Sequence, residues 1–152
     1  TVVSTAGTTN IKQITALNAE RNLGINIVSA NGHSEAFQMV ESGRAAAFVM
    51  DDILLFGLVA NSKNPKQFAI SQEALSIEPY GIMLRKDDVA FKKVVDAAMS
   101  KLYTSGEAAK IYTKWFQRPI PPRKINLNVA MSAQLKKAWA NPTSSGDPND
   151  YK

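Results

Sequence analysis

The sequence predicts an α/β fold in which a mainly parallel sheet is flanked by helices, with a helical segment toward the C-terminus. Over residues 1–60, short apolar stretches suited to strands alternate with stretches whose apolar residues recur at helical spacing. Residues 45–50 form a continuous apolar run, which is typical of a strand buried on both faces. Strand–helix repeats of this length imply right-handed crossovers and helices packed over the sheet.

Local signals predict the elements of the first half. Residues 1–5 and 25–29 are expected to form strands, and a helix between them is marked by three apolar residues at helical spacing: Ile11, Ile14 and Leu17. A second helix is expected to begin at a Ser34 cap and to end at Gly43. A third follows the apolar run, starting at Asp51 and its neighbour Asp52 and continuing to about residue 60. The chain opens on a strand-like segment, which we expect of a truncated or processed chain.

The second half predicts mostly helix. Pro79 disfavours helix at Glu78, so residues 76–80 are expected to be extended, and residues 80–84 predict another strand. Asp87 or Asp88 is expected to cap the next helix, which presents one apolar face, formed by Phe91, Val94, Val95, Ala98 and Leu102. Two further helices are predicted at residues 107–117 and about 132–140, before a polar tail at residues 141–152 that we expect to be disordered.

Composition excludes several classes of protein. Of the 152 residues 45% are hydrophobic, which suits a globular core, and no apolar run approaches the roughly 20 residues that span a bilayer. The absence of cysteine excludes a disulfide scaffold, a thiolate metal site and a cysteine nucleophile. The net charge of +5 comes from basic residues with acids between them, so we interpret it as a solvated surface that attracts anions rather than as a nucleic-acid site.

Polar residues follow each predicted strand of the first half. Thr8 and Thr9 follow the first strand after Gly7, His33 follows the second, and Asp51 follows the third. Open parallel sheets bind ligands outside the carboxyl ends of their strands, so these residues are the candidate site. A helix start with free backbone N–H groups favours an anion at Thr8 and Thr9.

Each candidate also has a simpler interpretation. Thr8 or Thr9 could be an ordinary helix cap, and His33, the only histidine, could be a solvent-exposed loop residue. The adjacent acids Asp51 and Asp52 could be a carboxylate pair for acid/base chemistry. Because neighbouring side chains at a strand end point in different directions, we instead expect one functional and one capping aspartate. A Ser–His–Asp triad can be composed from Ser4 or Ser34 with His33 and Asp51, but no nucleophile-elbow motif supports it.

The ensemble of motifs resembles one family along nearly the whole chain except the tail. The motifs are, in order, residues 4–9 (STAGTT), 31–34 (NGHS), 41–52 (ESGRAAAFVMDD), 80–88 (YGIMLRKDD), 104–108 (TSGEA) and 114–122 (KWFQRPIPP). They are similar to the second lobe and C-terminal segment of periplasmic glutamate/aspartate-binding proteins of bacterial ABC importers, members of solute-binding protein family 3.

The resemblance implies a fragment of a two-lobed, periplasmic-binding-protein-like fold of type II. Residues 1–75 would form most of the second lobe, and residues 76–80 would be the return crossing of the hinge. Residues 81–140 would be the C-terminal part of the first lobe with the terminal helices, and residues 141–152 the tail. Most of the first lobe would be missing.

The resemblance also implies roles for the candidate residues. Thr9 matches a threonine that holds the α-carboxylate of the ligand, His33 a histidine that contacts the side-chain carboxylate, and Asp51 the aspartate that pairs with the α-ammonium. Thr8 is a less specific candidate beside Thr9. The arginines with which the family clamps both carboxylates would lie in the missing part, and Ala6 stands where relatives often have serine.

The resemblance therefore predicts a periplasmic, non-catalytic component of an importer for L-glutamate or L-aspartate, with a membrane permease as partner and with no cofactor, metal or nucleic acid. The alternatives are an enzyme of the same fold acting on a small carboxylic acid, with His33 as its acid or base, and an isolated sensor or interaction lobe. Alone, the chain is expected to expose an apolar surface and therefore to self-associate or swap segments. The residues expected to form that surface are Val94, Ala98, Leu102 and Trp115.

Overall fold

A computed structural model describes residues 1–151 of the chain and divides it into two compact units. The first unit is Thr1–Ile70, and the second begins at Ser71. The sequence predicts this boundary a few residues later, at residue 75. The finer division into a lobe, a hinge at residues 76–80, a segment of the other lobe and a disordered tail remains a prediction.

Strands and helices alternate through the first unit. Its elements are β1 (Val2–Thr5), α1 (Thr9–Glu20), β2 (Ile27–Ala30), α2 (His33–Glu41), β3 (Ala47–Val49), α3 (Asp52–Asn61) and a 3₁₀ turn (Pro65–Gln67). The three strands are parallel, in the order β2-β1-β3, so β1 lies in the centre. The predicted α/β class with a small parallel sheet flanked by helices is therefore confirmed.

The core of the first unit is centred on Val3 of β1, which is fully buried. In the register of the sheet, Val3 lies beside Val28 of β2 and Phe48 of β3. Three buried alanines complete the cluster: Ala30, Ala36 and Ala45. Small residues here let α2 and the loop before β3 approach the sheet closely. This packing holds the ends of the three strands in fixed positions.

Two local expectations for the first unit are wrong. The helix predicted to have Ser34 as its cap residue has Gly32 in that position, two residues earlier, and the Glu35 carboxylate accepts from the backbone N–H of Asn31 at 2.9 Å. This bond lies before the cap residue, and the start of α2 has no side-chain cap. The strand predicted as buried on both faces has Ala47 exposed and Phe48 only half-buried. It lies at the edge of the sheet, and α3 buries none of its own residues.

The second unit is helical, with α4 (Val89–Thr104), α5 (Glu107–Phe116), α6 (Ala133–Ala140) and a 3₁₀ helix (Pro148–Tyr151) within the tail. The Asp88 side chain accepts from the backbone N–H of Phe91 at 3.0 Å, so the predicted cap of α4 is confirmed. Aromatic rings join the three long helices: Trp139 of α6 stacks on Tyr103 of α4 at 5.4 Å and meets Tyr112 of α5 edge-on at 6.1 Å.

The strand predicted at residues 80–84 is absent. Among residues 1–151, the only sheet is the one formed by β1, β2 and β3, so no neighbouring strand pairs with this segment. Met83 is consequently 96% exposed. Three of the predicted apolar contributors, Val94, Ala98 and Trp115, are also exposed, whereas Leu102 is half-buried. No helix of the described residues has the length and apolar character needed to cross a membrane.

Candidate ligand-binding site

The candidate site lies along one edge of the sheet, where all three strands end. Because the strands are parallel, their last residues, Thr5, Ala30 and Val49, face the same side of the first unit. The helix that follows each strand begins within a few residues of this edge. Three helix N-termini therefore direct their positive dipole ends toward the region where a parallel sheet binds ligands.

The two candidate threonines occupy the start of α1, on the central strand. Thr8 is the cap residue: its hydroxyl donates to the carbonyl of Thr5 at 2.7 Å and accepts from the N–H of Ile11 at 3.4 Å. The capping interpretation is correct for Thr8, and its hydroxyl hydrogen is already engaged within the protein. Thr9 is the first residue of the helix and is exposed, which makes it the more accessible of the two.

His33 is the first residue of α2 and is half-buried, so the interpretation as a loop histidine is wrong. Its Nδ1 lies 2.7 Å from the hydroxyl oxygen of Thr5, the last residue of β1. Thr5 is only 6% exposed. This contact ties the start of α2 to the central strand and fixes one edge of the imidazole ring.

Asp51 lies on the opposite side of the central strand, immediately before α3. It is half-buried, and its Oδ1 accepts from the side-chain amide of Asn10 at 2.9 Å. Asp51 occupies the cap position of α3 without capping it through its side chain, whereas Oδ1 of Asp52 accepts from the N–H of Ile53 at 2.7 Å. Asp52 therefore bonds locally at the helix start, whereas Asp51 is held by Asn10 of α1. The division into one functional and one capping aspartate remains a prediction.

The sequence does not identify Thr5 and Asn10, the two residues that connect the candidates. Both are buried polar residues, 6% and 8% exposed, contributed by β1 and by the first turn of α1. Each bonds to a candidate residue on a different neighbouring element, 28 and 41 residues away in sequence. The position of Thr5 at a strand end was an available signal, but its partner could not be read from local pattern.

The arrangement suits binding of a small zwitterion more readily than catalysis by a triad. The helix start at Thr9 and the His33 ring offer hydrogen-bond donors for anions, and Asp51 offers a carboxylate for a cation. The Ser4 hydroxyl donates to the carbonyl of Val49 at 2.8 Å and so is not joined to His33. Within residues 1–151, no group of three or more His, Cys, Asp or Glu side chains is positioned to hold a metal ion.

Taken together, the fold and the site define a small α/β unit that carries its polar residues on the ligand-binding edge of a parallel sheet. Comparison with known proteins gives a more specific result. The chain is 54% identical over 142 residues to the L-glutamate/L-aspartate-binding protein of Pseudomonas aeruginosa, a match that covers 93% of this chain and 47% of that protein. It is 45% identical over 141 residues to the glutamate/aspartate import solute-binding protein of Escherichia coli, with the same coverage.

More distant matches extend to a binding protein for another amino acid. The ABC transporter glutamine-binding protein GlnH of Bacillus subtilis is 29% identical over 91 residues, which are 60% of this chain and 32% of that protein. No family model matches the chain. The identities of 45–54% confirm the resemblance: the chain is homologous to glutamate/aspartate-binding proteins, and it spans about half the length of these relatives.

Proposed function

We propose that this chain is part of the substrate-binding component of an ABC importer for L-glutamate or L-aspartate, working in the periplasm with a membrane permease. The complete protein, meaning one of the length of the relatives, would have the two lobes of a type II periplasmic-binding-protein fold. The observation that supports this most strongly is the 54% identity to an L-glutamate/L-aspartate-binding protein over 93% of the chain.

The geometry of the sheet edge supports the same function. An acidic amino acid carries two carboxylates and one ammonium group, and so needs donors at two points and a carboxylate at a third. We propose that Thr9 at the start of α1 binds the α-carboxylate, that His33 binds the side-chain carboxylate, and that Asp51 binds the α-ammonium. Thr8 contributes by capping α1, which keeps the N–H groups of the first turn in position.

One contact favours the alternative of an enzyme on the same fold. A hydroxyl 2.7 Å from an imidazole nitrogen, as in Thr5 and His33, is the geometry of a nucleophile with its base. The low exposure of Thr5, 6%, argues against attack by this hydroxyl on a substrate. Of the two, binding without catalysis is the function better supported by the site.

A single experiment separates binding from catalysis. The complete protein is incubated with radiolabelled L-glutamate, the bound fraction is isolated, and the label is identified chromatographically. We expect the label to be released on denaturation as unchanged glutamate, with an Asp51→Asn variant retaining much less of it. Conversion of the label to another compound would establish an enzyme. If the wild type retains neither labelled L-glutamate nor, in a parallel incubation, labelled L-aspartate, the proposed ligand is wrong.

A further inference from the structure

The buried Thr5 hydroxyl leads to an inference about the protonation of the His33 ring. Neutral imidazole carries a hydrogen on one ring nitrogen and accepts on the other, so the partner of one nitrogen determines what the other can do. Here the partner of Nδ1 is the Thr5 hydroxyl, at 2.7 Å. The identity of the donor in this contact therefore decides whether Nε2 is a donor or an acceptor.

Burial assigns the hydrogen in this contact. A hydroxyl group has one hydrogen to donate, and a buried donor without an acceptor is costly. Among residues 1–151, no buried side-chain nitrogen or oxygen lacks a hydrogen-bond partner, and Nδ1 of His33 is the partner of the Thr5 hydroxyl. If Nδ1 carried the hydrogen, the Thr5 hydroxyl would accept it and its own hydrogen would have no acceptor. Donation from Thr5 to Nδ1 satisfies both groups.

The Thr5 side chain is also held firmly enough to impose this choice. Its backbone belongs to the central strand, in register with Ala30, and its carbonyl accepts from the Thr8 hydroxyl at 2.7 Å. A β-branched side chain in a strand has restricted rotation about its first torsion angle, so the hydroxyl keeps its direction. The ring of His33, at the start of α2, is thus presented with a fixed donor.

We propose that Thr5 is a positioning residue that holds neutral His33 in the form with the hydrogen on Nε2. That form makes Nε2 a hydrogen-bond donor, as recognition of a side-chain carboxylate requires, whereas the other form would present a lone pair that repels it. This consequence for specificity rests on the proposed function. The assignment of the hydrogen itself does not, because it follows from contacts within the chain.

The single histidine makes the assignment directly measurable in the 152-residue chain. With ¹⁵N-labelled histidine, long-range proton–nitrogen correlation spectra distinguish a protonated from an unprotonated ring nitrogen without any ambiguity of residue. Spectra are recorded at the alkaline plateau of the ring's titration. We expect the wild type to show one neutral form, with Nε2 protonated. We expect Thr5→Val, which keeps the branched shape, to show a mixture, with the two nitrogen shifts moving toward each other.

Two variants serve as controls. Thr5→Ser keeps the hydroxyl and should restore the wild-type spectrum, and Thr15→Val removes an exposed hydroxyl of α1 that donates to the carbonyl of Ile11 and should leave it unchanged. A protonated Nδ1 in the wild type, or identical spectra for wild type and Thr5→Val, would overturn the proposal. If Thr5→Val fails to fold, the wild type decides: its Thr5 hydroxyl proton should exchange slowly and correlate with Nδ1, and absence of that correlation rejects the proposal.

A second arm uses the complete protein. Thr5→Val should weaken glutamate binding by roughly three- to tenfold, with Thr5→Ser close to wild type and glutamine binding little affected. If His33→Ala leaves glutamate binding unchanged, the proposed role of His33 in the function fails, while the spectra still decide the role of Thr5. Equal losses of glutamate and glutamine in Thr5→Val would reject its effect on specificity.

Discussion

The side-chain amide of Asn10 donates to Oδ1 of Asp51 at 2.9 Å, joining the first turn of α1 to the residue that precedes α3. Asn10 is 8% exposed and Asp51 is half-buried, so this bond is partly shielded from water. A hydrogen bond to a charged group is worth about 1.5–3 kcal/mol. The bond from Asn10 holds the Asp51 carboxylate at the ligand-binding edge without neutralising it, because an amide contributes no charge.

The Asn10 contact predicts that Asn10→Asp destabilises the chain. The substitution keeps the shape of the side chain, removes the donor and places a second carboxylate against Asp51. We expect the free energy of unfolding to fall by about 1.5–3 kcal/mol, measured by urea unfolding followed by circular dichroism. The matched control is Asn26→Asp, which makes the same chemical change at an exposed asparagine. Equal effects of the two substitutions would show that the contact contributes nothing specific.

Asp51 itself is predicted to recognise the α-ammonium in the complete protein. Asp51→Asn keeps the shape and removes the charge, and a buried ammonium without its partner costs about 3–5 kcal/mol, which corresponds to a loss of at least about a hundredfold in glutamate affinity. The measurement is calorimetric titration. Glutarate, which has both carboxylates but no ammonium, should bind the wild type weakly and lose little more in the variant.

The matched control for Asp51 is its neighbour. Because the Asp52 carboxylate bonds to the N–H of Ile53 at the start of α3, Asp52→Asn should lower the melting temperature more than it lowers affinity. The assignment is wrong if Asp52→Asn abolishes binding while Asp51→Asn leaves it intact. Equal losses for glutamate and glutarate in Asp51→Asn would also contradict it.

His33 is predicted to provide the preference for a second carboxylate. In the complete protein, His33→Ala should weaken glutamate binding by roughly ten- to a hundredfold, since a hydrogen bond to a charged group is worth about 1.5–3 kcal/mol. Glutamine, whose side chain is uncharged, should be affected much less. Competition of both ligands against labelled glutamate measures the two losses side by side. If they are equal, His33 acts only on the structure of the start of α2.

Sequence patterns predicted those parts of the fold that depend on local chemistry. The period of apolar residues identified α1, and the Asp88 cap of α4 followed from helix-start preferences. The parallel direction of β1, β2 and β3 followed from strand–helix alternation, whereas their order in the sheet was not predicted. These features need information from only a few neighbouring residues.

Features that depend on distant partners were not predictable in the same way. An apolar run such as residues 45–50 shows that a strand can be buried, but not whether a neighbour exists to bury it. The segment at residues 80–84 has a strand-like sequence and no pairing strand among the described residues. In the site, the candidates followed from their positions after strands, whereas Thr5 and Asn10 are defined by bonds across 28 and 41 residues.

Exposed apolar side chains are concentrated in the second unit. Among residues 1–151 the large ones are mostly found there, including Tyr80, Ile82, Met83, Val89 and Val94 at 61–96% exposure. A chain with such a surface is predicted to bind an apolar fluorescent dye and to associate as its concentration rises, as sedimentation velocity would measure.

Two single substitutions, one exposed and one buried, test whether exposed apolar side chains of the second unit bind the dye. Met83→Lys should reduce dye binding without lowering the melting temperature, because the side chain is 96% exposed and packs against little. Ile14→Lys, at a position 5% exposed in the first unit, should instead unfold that unit. A monomer at high concentration that binds no dye would contradict the prediction.

The chain alone is predicted to bind glutamate only weakly, even though it contains the candidate residues of the site. Association costs an estimated 4–15 kcal/mol in lost translational and rotational freedom. Three contacts to charged groups, through Thr9, His33 and Asp51, would supply roughly 5–9 kcal/mol, which is about the size of that cost. A net affinity tighter than millimolar would need a surplus of about 4 kcal/mol, and so requires further contacts that the complete protein would supply.

Calorimetric titration of the chain should therefore show no saturation below millimolar glutamate, whereas the complete protein should saturate. A micromolar dissociation constant for the chain alone would mean that the sheet edge of the first unit is sufficient for recognition.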